Sequence, residues 1–248
     1  FDSIIFSKGG IVFNRNNINH DNIIREEGKT FRWGGKYNAD YSSRDTLFTD
    51  LGVFEHFTPR IKNTTNKNGI LFLANIHPSL QLDVLNKMSG DISLVVSDTM
   101  NLWIDVDLKG LHQVIEASNI FLLNDEEAVQ LTQISDLELA GKKILDMGPH
   151  TVIIKMGSKG SLLITSEISI KIPCVPDIDV YDPTGAGDSF AGGLIGYISK
   201  YGKQNMIEGL LYASSVASFT VSDFGINKIL NLNLKDIESR VQILKTMI

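Results

Sequence analysis

The chain has 248 residues, enough for one large α/β domain or for one domain with a small appendage. Hydrophobic residues make up 43% and charged residues 21%, which is ordinary for a soluble globular protein, and the formal net charge is −6. The acidic charge argues against a general affinity for nucleic acid, since no basic excess is present to displace phosphate counterions. Cys174 is the single cysteine and no apolar run approaches the roughly 18 residues of a membrane span, so we expect a cytoplasmic protein without a membrane partner.

The first part of the chain is irregular and rich in residues that favour strands. It begins at Phe1 rather than at methionine, which suggests a cut edge. Residues 30–37 and 46–54 carry aromatic and β-branched side chains in partial alternation, which predicts two strands. Residues 38–44 predict a polar turn between them, and residues 59–69 predict an exposed connection.

From residue 70 onward, short apolar runs alternate with helical patterns. The runs predict strands at residues 70–74, 92–97, 120–123 and 151–155, and the second of them is followed by a predicted helix that extends to about Ala117. Such alternation is typical of a parallel sheet covered on both faces. The rest of the sequence predicts an antiparallel extension at residues 161–165 and 168–172 and helices at residues 186–200, 205–221 and 234–246.

The strongest local signal is the glycine-rich segment at residues 181–193. Downstream of Asp188, apolar residues recur every four positions at Phe190, Leu194 and Ile198, so the segment from Gly185 to Gly187 lies at a predicted helix N-terminus. Glycine lets the backbone approach a ligand closely, and a helix N-terminus attracts an anion. Asp188 would be held beside that anion, as a general base for phosphoryl transfer requires.

Other interpretations of this segment are weaker. A P-loop needs lysine and then serine or threonine where Gly193 and Leu194 stand, and a dinucleotide fingerprint needs glycine at Phe190. The residues alone also allow a plain helix start in which Asp188 satisfies backbone donors.

The segment from Asp182 to Asp188 (Asp-Pro-Thr-Gly-Ala-Gly-Asp) resembles the C-terminal motif of the ribokinase (PfkB-type) carbohydrate kinase family. The resemblance begins near residue 28 and implies a three-layer, ribokinase-like, doubly wound and mainly parallel sheet, within a single domain over residues 1–248. Residues 28–56 would contribute the strands of a small β lid.

The resemblance also implies a reaction, in which a hydroxyl group of a sugar or sugar-like molecule is phosphorylated by ATP. Asp188 would be the general base, and the Gly185 to Gly187 amides would form the anion hole. Asp182 and Thr184 would lie at a site for a monovalent cation such as K+.

Further segments agree with the family in order. Asn124 and Glu127 match its Asn-x-x-Glu element, which supports Mg2+, although the same residues also predict a capping box. The loop from residue 155 to 160 resembles the family's nucleotide loop, and a plain hairpin turn is the alternative. The resemblance therefore implies ATP contacts from Lys155, Gly157, Ser158 and Gly160.

Three more segments resemble parts of the family's ligand sites. Asp98 and Asn101 would contact the substrate, although Asn101 is equally suited to cap the next helix. Arg32 and Trp33 would contact the substrate from the lid, where packing is the alternative role of the tryptophan. The stretch that flanks the adenine would include Ala213, Ser214 and Gly225, and tight helix packing explains its small residues equally well.

The resemblance is incomplete at the N-terminus. The family's first strand with its aspartate and the following Gly-Gly segment are not found in residues 1–22. We therefore expect an N-terminally incomplete domain, and three functional hypotheses stay open: a sugar kinase, a nucleoside kinase, or a non-catalytic nucleotide-binding remnant. A homodimer through the lid strands is a further expectation.

Overall fold

The computed structural model describes residues 12–14, 17–37, 44–61, 68–88, 90 and 92–248. They belong to two compact units, one within residues 1–65 and the other within residues 66–248. Most of the turn predicted at residues 38–44 and of the connection predicted at residues 59–69 lies outside the described residues. That both units form a single domain stays a prediction.

The first unit contains two antiparallel strands, β1 (Arg32–Tyr37) and β2 (Arg44–Asp50). The predicted second strand extended to Phe54, and this was wrong beyond Asp50, because a 3-10 helix occupies Gly52–His56. Gly52 has a φ of +55°, and a Cβ there would collide with the Lys29 carbonyl oxygen, so the chain turns at this glycine.

The second unit is built on a six-stranded sheet with the order β3-β4-β5-β6-β7-β8. Strands β3 to β6 are parallel, and β7 and β8 extend the sheet antiparallel. The strands are β3 (Gly69–Leu73), β4 (Ile92–Asp98), β5 (Ile120–Asn124), β6 (Thr151–Lys155), β7 (Ser161–Ile164) and β8 (Ser169–Ile172). The predicted mainly parallel sheet is confirmed.

Helices cover both faces of this sheet. One face carries α1 (Pro78–Met88), α2 (Asn101–Val106), α3 (Leu108–Ala117), α4 (Asp125–Thr132) and α5 (Leu137–Leu145). The other carries α6 (Ala186–Tyr201), α7 (Met206–Thr220) and α8 (Leu234–Lys245). The three-layer α/β architecture is therefore confirmed.

One predicted helix is divided in two. The helical pattern ending at Ala117 contains a break at Asp107, between α2 and α3. Asp107 Oδ1 accepts a hydrogen bond of 3.0 Å from the Gly110 amide, so Asp107 caps the start of α3.

Alternate residues of the strands pack into separate cores. Leu122 and Ile153 pack with Leu194 of α6 on one face of the sheet. Phe121 and Ile154 belong to the core on the opposite face. Because side chains alternate across a strand, Lys155 points to the same face as Ile153, where α6 lies.

Among the residues that the structure describes, no helix combines the length and apolar character that crossing a membrane requires.

Helices α6 and α7 approach each other closely at Gly193. A Cβ atom on Gly193 would lie 3.0 Å from Ala213 Cα and 3.2 Å from the Tyr212 carbonyl oxygen. Gly196, on the exposed side of α6, would meet nothing within 4 Å. Gly193 therefore allows the contact that holds α6 in place.

We expect Gly193→Ala to be less stable than Gly196→Ala by about 1–3 kcal/mol, because only the first adds atoms to a filled interface. Both changes gain the same helix propensity of about 1 kcal/mol, so it cancels in the comparison. Urea unfolding measures the difference. Equal free energies of unfolding would contradict the close packing.

Candidate active site

Polar residues end three adjacent parallel strands of the sheet. Asp98 is the last residue of β4, Asn124 of β5 and Lys155 of β6, and Asn124 lies directly beside Lys155 in the β5–β6 register. The carboxyl ends of parallel strands are where ligands bind in open α/β sheets. This edge is therefore the first place to look for a site.

Asp98 and Lys155 form an ion pair at this edge. Lys155 Nζ lies 2.6 Å from Asp98 Oδ2, and their side chains are only 18% and 6% exposed. Asp98 Oδ1 accepts a second hydrogen bond of 2.9 Å from the Thr99 amide. The Asp98 carboxylate is thus nearly buried, with both oxygens engaged.

The glycine-rich segment forms the start of α6, as predicted. Gly185 precedes the helix with a φ of +81°, a conformation that favours glycine. The Ala186 amide donates to the Pro183 carbonyl at 3.1 Å, so it is already engaged. The amides of Gly187 and Asp188 have no hydrogen-bond acceptor within the described residues, as is usual in the first turn of a helix.

The ammonium of Lys155 lies against this first turn. A Cβ atom on Gly187 would be 3.4 Å from Lys155 Nζ. The lysine at the end of β6 therefore meets the start of α6, which is separated from it by about 30 residues of sequence.

Asp188 lies in the electrostatic field of the same pair. It is exposed by surface area, but the protein around it withholds part of its hydration, and this desolvation is the largest cause that raises its pKa. The Asp98 carboxylate raises the pKa further, and the Lys155 ammonium lowers it. Asp98, Lys155 and Asp188 are thus brought together.

Asn124 and Glu127 form the predicted capping box at the start of α4. Asn124 Oδ1 accepts from the Glu127 amide, and Glu127 Oε2 accepts from the Asn124 amide, both at 2.7 Å. No group of three or more histidine, cysteine, aspartate or glutamate side chains suited to a metal occurs among the described residues. Asn124 Oδ1 and Glu127 Oε2 are both engaged in this cap, and the part of the two residues in magnesium binding stays a prediction.

The loop after Lys155 joins two antiparallel strands, so the hairpin interpretation holds for its backbone. Gly157 and Gly160 have φ values of +55° and +89°. Gly157 and Ser158 are exposed, whereas Gly160 is buried against the Ile172 carbonyl oxygen. Gly157 and Ser158 are thus accessible to a ligand, and the ATP contacts of this loop stay predictions.

The segment predicted to flank the adenine has some residues buried within a helix and others at the surface. Ala213 is fully buried and Ser214 is nearly buried, both within α7. Their burial agrees with the alternative interpretation, in which small residues allow tight helix packing. Gly225 lies beyond α7 with a φ of +58° and open space around it. The nucleotide contacts of all three stay predictions.

Asn101 and Asp182 make local hydrogen bonds within their own segments. Asn101 is the first residue of α2 and follows the N-cap, Met100, so the predicted capping by Asn101 was wrong. Its side chain accepts a 3.0 Å hydrogen bond from the Leu102 amide. Asp182 Oδ1 accepts from the Thr184 amide at 2.9 Å, and the cation site stays a prediction.

Arg32 and Trp33 belong to the first compact unit. The Arg32 guanidinium lies 5.4 Å from the centre of the Phe48 ring, and Trp33 Nε1 donates to Thr46 Oγ1 at 3.3 Å. Their contacts with a substrate stay predictions.

Sequence reasoning missed the pairing of Asp98 with Lys155, because it assigned the two residues to different ligands. It also missed Gln81, which is 2% exposed and donates to the carbonyl oxygens of Leu73 and Asp98 at 3.1 and 3.0 Å. Gln81 thereby ties the end of β3 to the end of β4. The sequence did contain a signal for these contacts. Asp98 and Lys155 stand at the ends of predicted parallel strands, and Gln81 stands in the helix that connects two such strands.

Comparison with known proteins finds relatives whose names include nucleoside or riboside kinases, two of which follow. The nucleoside kinase of Methanocaldococcus jannaschii is 32% identical over 189 residues, with 75% of this chain and 60% of that protein covered. The aminoimidazole riboside kinase of Salmonella typhimurium is 40% identical over 83 residues, with 34% of this chain and 26% of that protein covered. The chain thus spans 60% or less of the length of these relatives.

The crystal structure of the M. jannaschii nucleoside kinase, an archaeal member of the ribokinase family, superposes on this chain with a TM-score of 0.72. The two are 26% identical in the superposition, which covers 94% of this chain and 75% of the other. Residues 80–231, more than half of the chain, match the model of the pfkB family carbohydrate kinases. The chain therefore belongs to the pfkB family of carbohydrate kinases.

The raised pKa of Asp188 has a consequence for stability. The folded state binds the Asp188 proton more tightly than the unfolded state, so this carboxyl group makes the protein less stable as the pH rises through the usual aspartate pKa to the raised one. We expect the melting temperature of Asp188→Asn, which removes the titration, to rise relative to that of the unsubstituted chain as the pH increases above about 4. Thermal melts across this range measure the difference.

Asp146→Asn, at an exposed aspartate after α5, gives the background effect of removing one carboxylate. A difference for Asp188→Asn that stays constant or falls as the pH rises would contradict the raised pKa.

Proposed function

We propose that this chain transfers the γ-phosphoryl group of ATP to a hydroxyl group of a small sugar or nucleoside. The observation that carries the proposal is the meeting of Asp188 and Lys155 at the first turn of α6, where two backbone amides lack an acceptor within the described residues. A base, a cation and free amides together suit phosphoryl transfer. Membership of the pfkB family supports the same reaction class.

Asp188 is the proposed general base. The acceptor oxygen forms a bond to the γ-phosphorus while its proton passes to the Asp188 carboxylate. The bond from the γ-phosphorus to the bridging oxygen breaks, and ADP leaves with that electron pair. The raised pKa of Asp188 makes it a better proton acceptor than an ordinary aspartate, as long as it is ionised.

The anion hole is proposed at the start of α6, in a slightly different place from the one that the sequence predicts. The Ala186 amide already donates to Pro183, so the amides of Gly187 and Asp188 are the better donors to the transferred group. The positive end of the helix dipole adds to them. The Gly185 conformation sets the turn that exposes them.

Cations complete the proposed site. Glu127 and Asn124 would hold Mg2+ through water, and the ion, when bound, neutralises the charge of the ATP phosphates. Asp182 and Thr184 would lie at the K+ site that the family resemblance implies.

A nucleoside is the second candidate acceptor. The observation in its favour is the M. jannaschii nucleoside kinase, which is 32% identical to this chain. The proposed lid residues Arg32 and Trp33 would contact either acceptor. Leu47 and Phe48 on β2 are exposed. We therefore also propose a homodimer in which a second copy of the chain covers β1 and β2.

Asp188→Asn tests the proposed base. We expect it to lower kcat by about 10²- to 10⁴-fold, because proton transfer from the acceptor is lost. Binding of Mg-ATP should change little, since an amide of the same shape replaces a carboxylate. ADP release with acceptor present and a Mg-ATP titration by calorimetry measure the two quantities.

Asp146→Asn serves as the control for this experiment, since it makes the same chemical change at an exposed position after α5. Equal losses of binding and turnover in Asp188→Asn would rule out Asp188 as the base. A folded chain that binds Mg-ATP and releases no ADP with any acceptor would instead favour the non-catalytic remnant.

A panel of acceptors tests the substrate class. If the site is built for nucleosides, we expect kcat/KM for the best nucleoside to exceed that for ribose and fructose by about 100-fold or more, because polar groups for the base stay unpaired with a free sugar. The reverse order would assign the chain to sugars. The measurement is ADP release at several concentrations of each compound.

A further inference from the structure

The Asp98–Lys155 pair spans three strands of the sheet. Asp98 ends β4 and Lys155 ends β6, with β5 between them. Two strand spacings separate their backbones, roughly 10 Å. The Lys155 side chain must therefore lie extended across the end of β5 to reach Asp98 at 2.6 Å.

This extended path carries the ammonium to an unfavourable place. Lys155 Nζ lies against Gly187, where the unengaged amides and the dipole of α6 are positive. A cation is normally destabilising at a helix N-terminus, and a nearly buried ion pair loses much of its hydration energy. The carboxylates of Asp98 and Asp188 offset part of this cost, since both attract the Lys155 ammonium.

A phosphate oxygen could use the positive groups that converge at this point, namely the Lys155 ammonium and the unengaged amides of α6. An ammonium group has three donors, so Lys155 can keep Asp98 as a partner and still donate to a phosphate oxygen. Asp98 neutralises Lys155 when no anion is present, and the ligand would then complete the positive cradle.

Asp98 itself is badly placed to contact a substrate. Its side chain is only 6% exposed, and its two oxygens accept from Lys155 and from the Thr99 amide. The geometry points to an indirect role, through the lysine that it holds.

We infer that Lys155 is a catalytic residue that contacts the transferred phosphoryl group at the start of α6, and that Asp98 is the positioning residue that holds it there. The inference rests on the proposed function and sharpens it. In this assignment Asp98 positions Lys155 and does not make the substrate contact that the sequence had predicted. Lys155 contacts the transferred phosphoryl group rather than only the nucleotide.

Four variants of the 248-residue chain test this assignment: Lys155→Met, Lys155→Arg, Asp98→Asn and the double variant Asp98→Asn/Lys155→Met. The double variant removes both charges, so it leaves no unpaired carboxylate and remains informative if Lys155→Met alone does not fold. Lys171→Met, at an exposed lysine on β8 of the same sheet, is the control and should keep full activity.

We expect Lys155→Met to lower kcat by about 10²- to 10³-fold, the usual effect of removing one donor to a developing charge. Asp98→Asn should lower kcat by about tenfold or more and leave KM for the acceptor unchanged, because Asp98 acts through Lys155. The double variant should be no slower than Lys155→Met, and Lys155→Arg should recover part of the rate. Steady-state ADP release gives all of these values.

The acid limb of the pH–rate profile separates this role from a merely structural one. Removing the Asp98 charge should move the limb to lower pH, and removing the Lys155 charge should move it to higher pH. A raised acceptor KM in Asp98→Asn, multiplicative losses in the double variant, or unchanged profiles would each overturn the inference.

A binding measurement keeps the inference distinct from the proposed reaction. If the unsubstituted chain shows no turnover, the proposed function fails. The readout is then the increment in melting temperature, defined as the rise produced by a non-hydrolysable ATP analogue minus the rise produced by ADP. Loss of this increment in Lys155→Met, with retention in Lys171→Met, supports a contact between Lys155 and the γ-phosphate. Retention in Lys155→Met, or no increment in the unsubstituted chain, overturns it.

Discussion

The start of α6 has to meet the Lys155 side chain that extends from the end of β6, and the proposed site depends on this constraint. Lys155 meets Gly187 there, and Asp98 holds Lys155 from two strands away. A small displacement of α6 would separate the base from the lysine, and errors of about 1 Å in such a site can be costly. The close approach of α6 to α7 at Gly193 is what fixes the helix.

The charges of the site are balanced against one another. The Asp98 carboxylate disfavours the ionisation of Asp188, and the Lys155 ammonium, which pairs with Asp98, favours it. Burial differs between the carboxylates, since Asp98 is nearly buried and Asp188 is open to solvent. The buried one is suited to holding a partner in place, and the open one is suited to exchanging a proton with an acceptor.

Much of the fold could be predicted from the sequence. The apolar runs of β4, β5 and β6 and the helical period of α6 are local patterns, and the structure has each within one or two residues of its predicted ends. The errors came where a single residue redirects the chain: Gly52 ends β2 early through its positive φ, and Asp107 divides one predicted helix by capping the second half.

The sequence by itself determined the pfkB family, the α/β class and the glycine-rich helix start with Asp188, because these depend on residues that are close together in the chain. Only the tertiary structure decided that Lys155 pairs with Asp98, 57 positions away, that the Ala186 amide is already engaged, and that Ala213 is buried. The physical reason is that such facts depend on which strand ends become neighbours and on how closely two helices pack. Local periodicity carries no record of either.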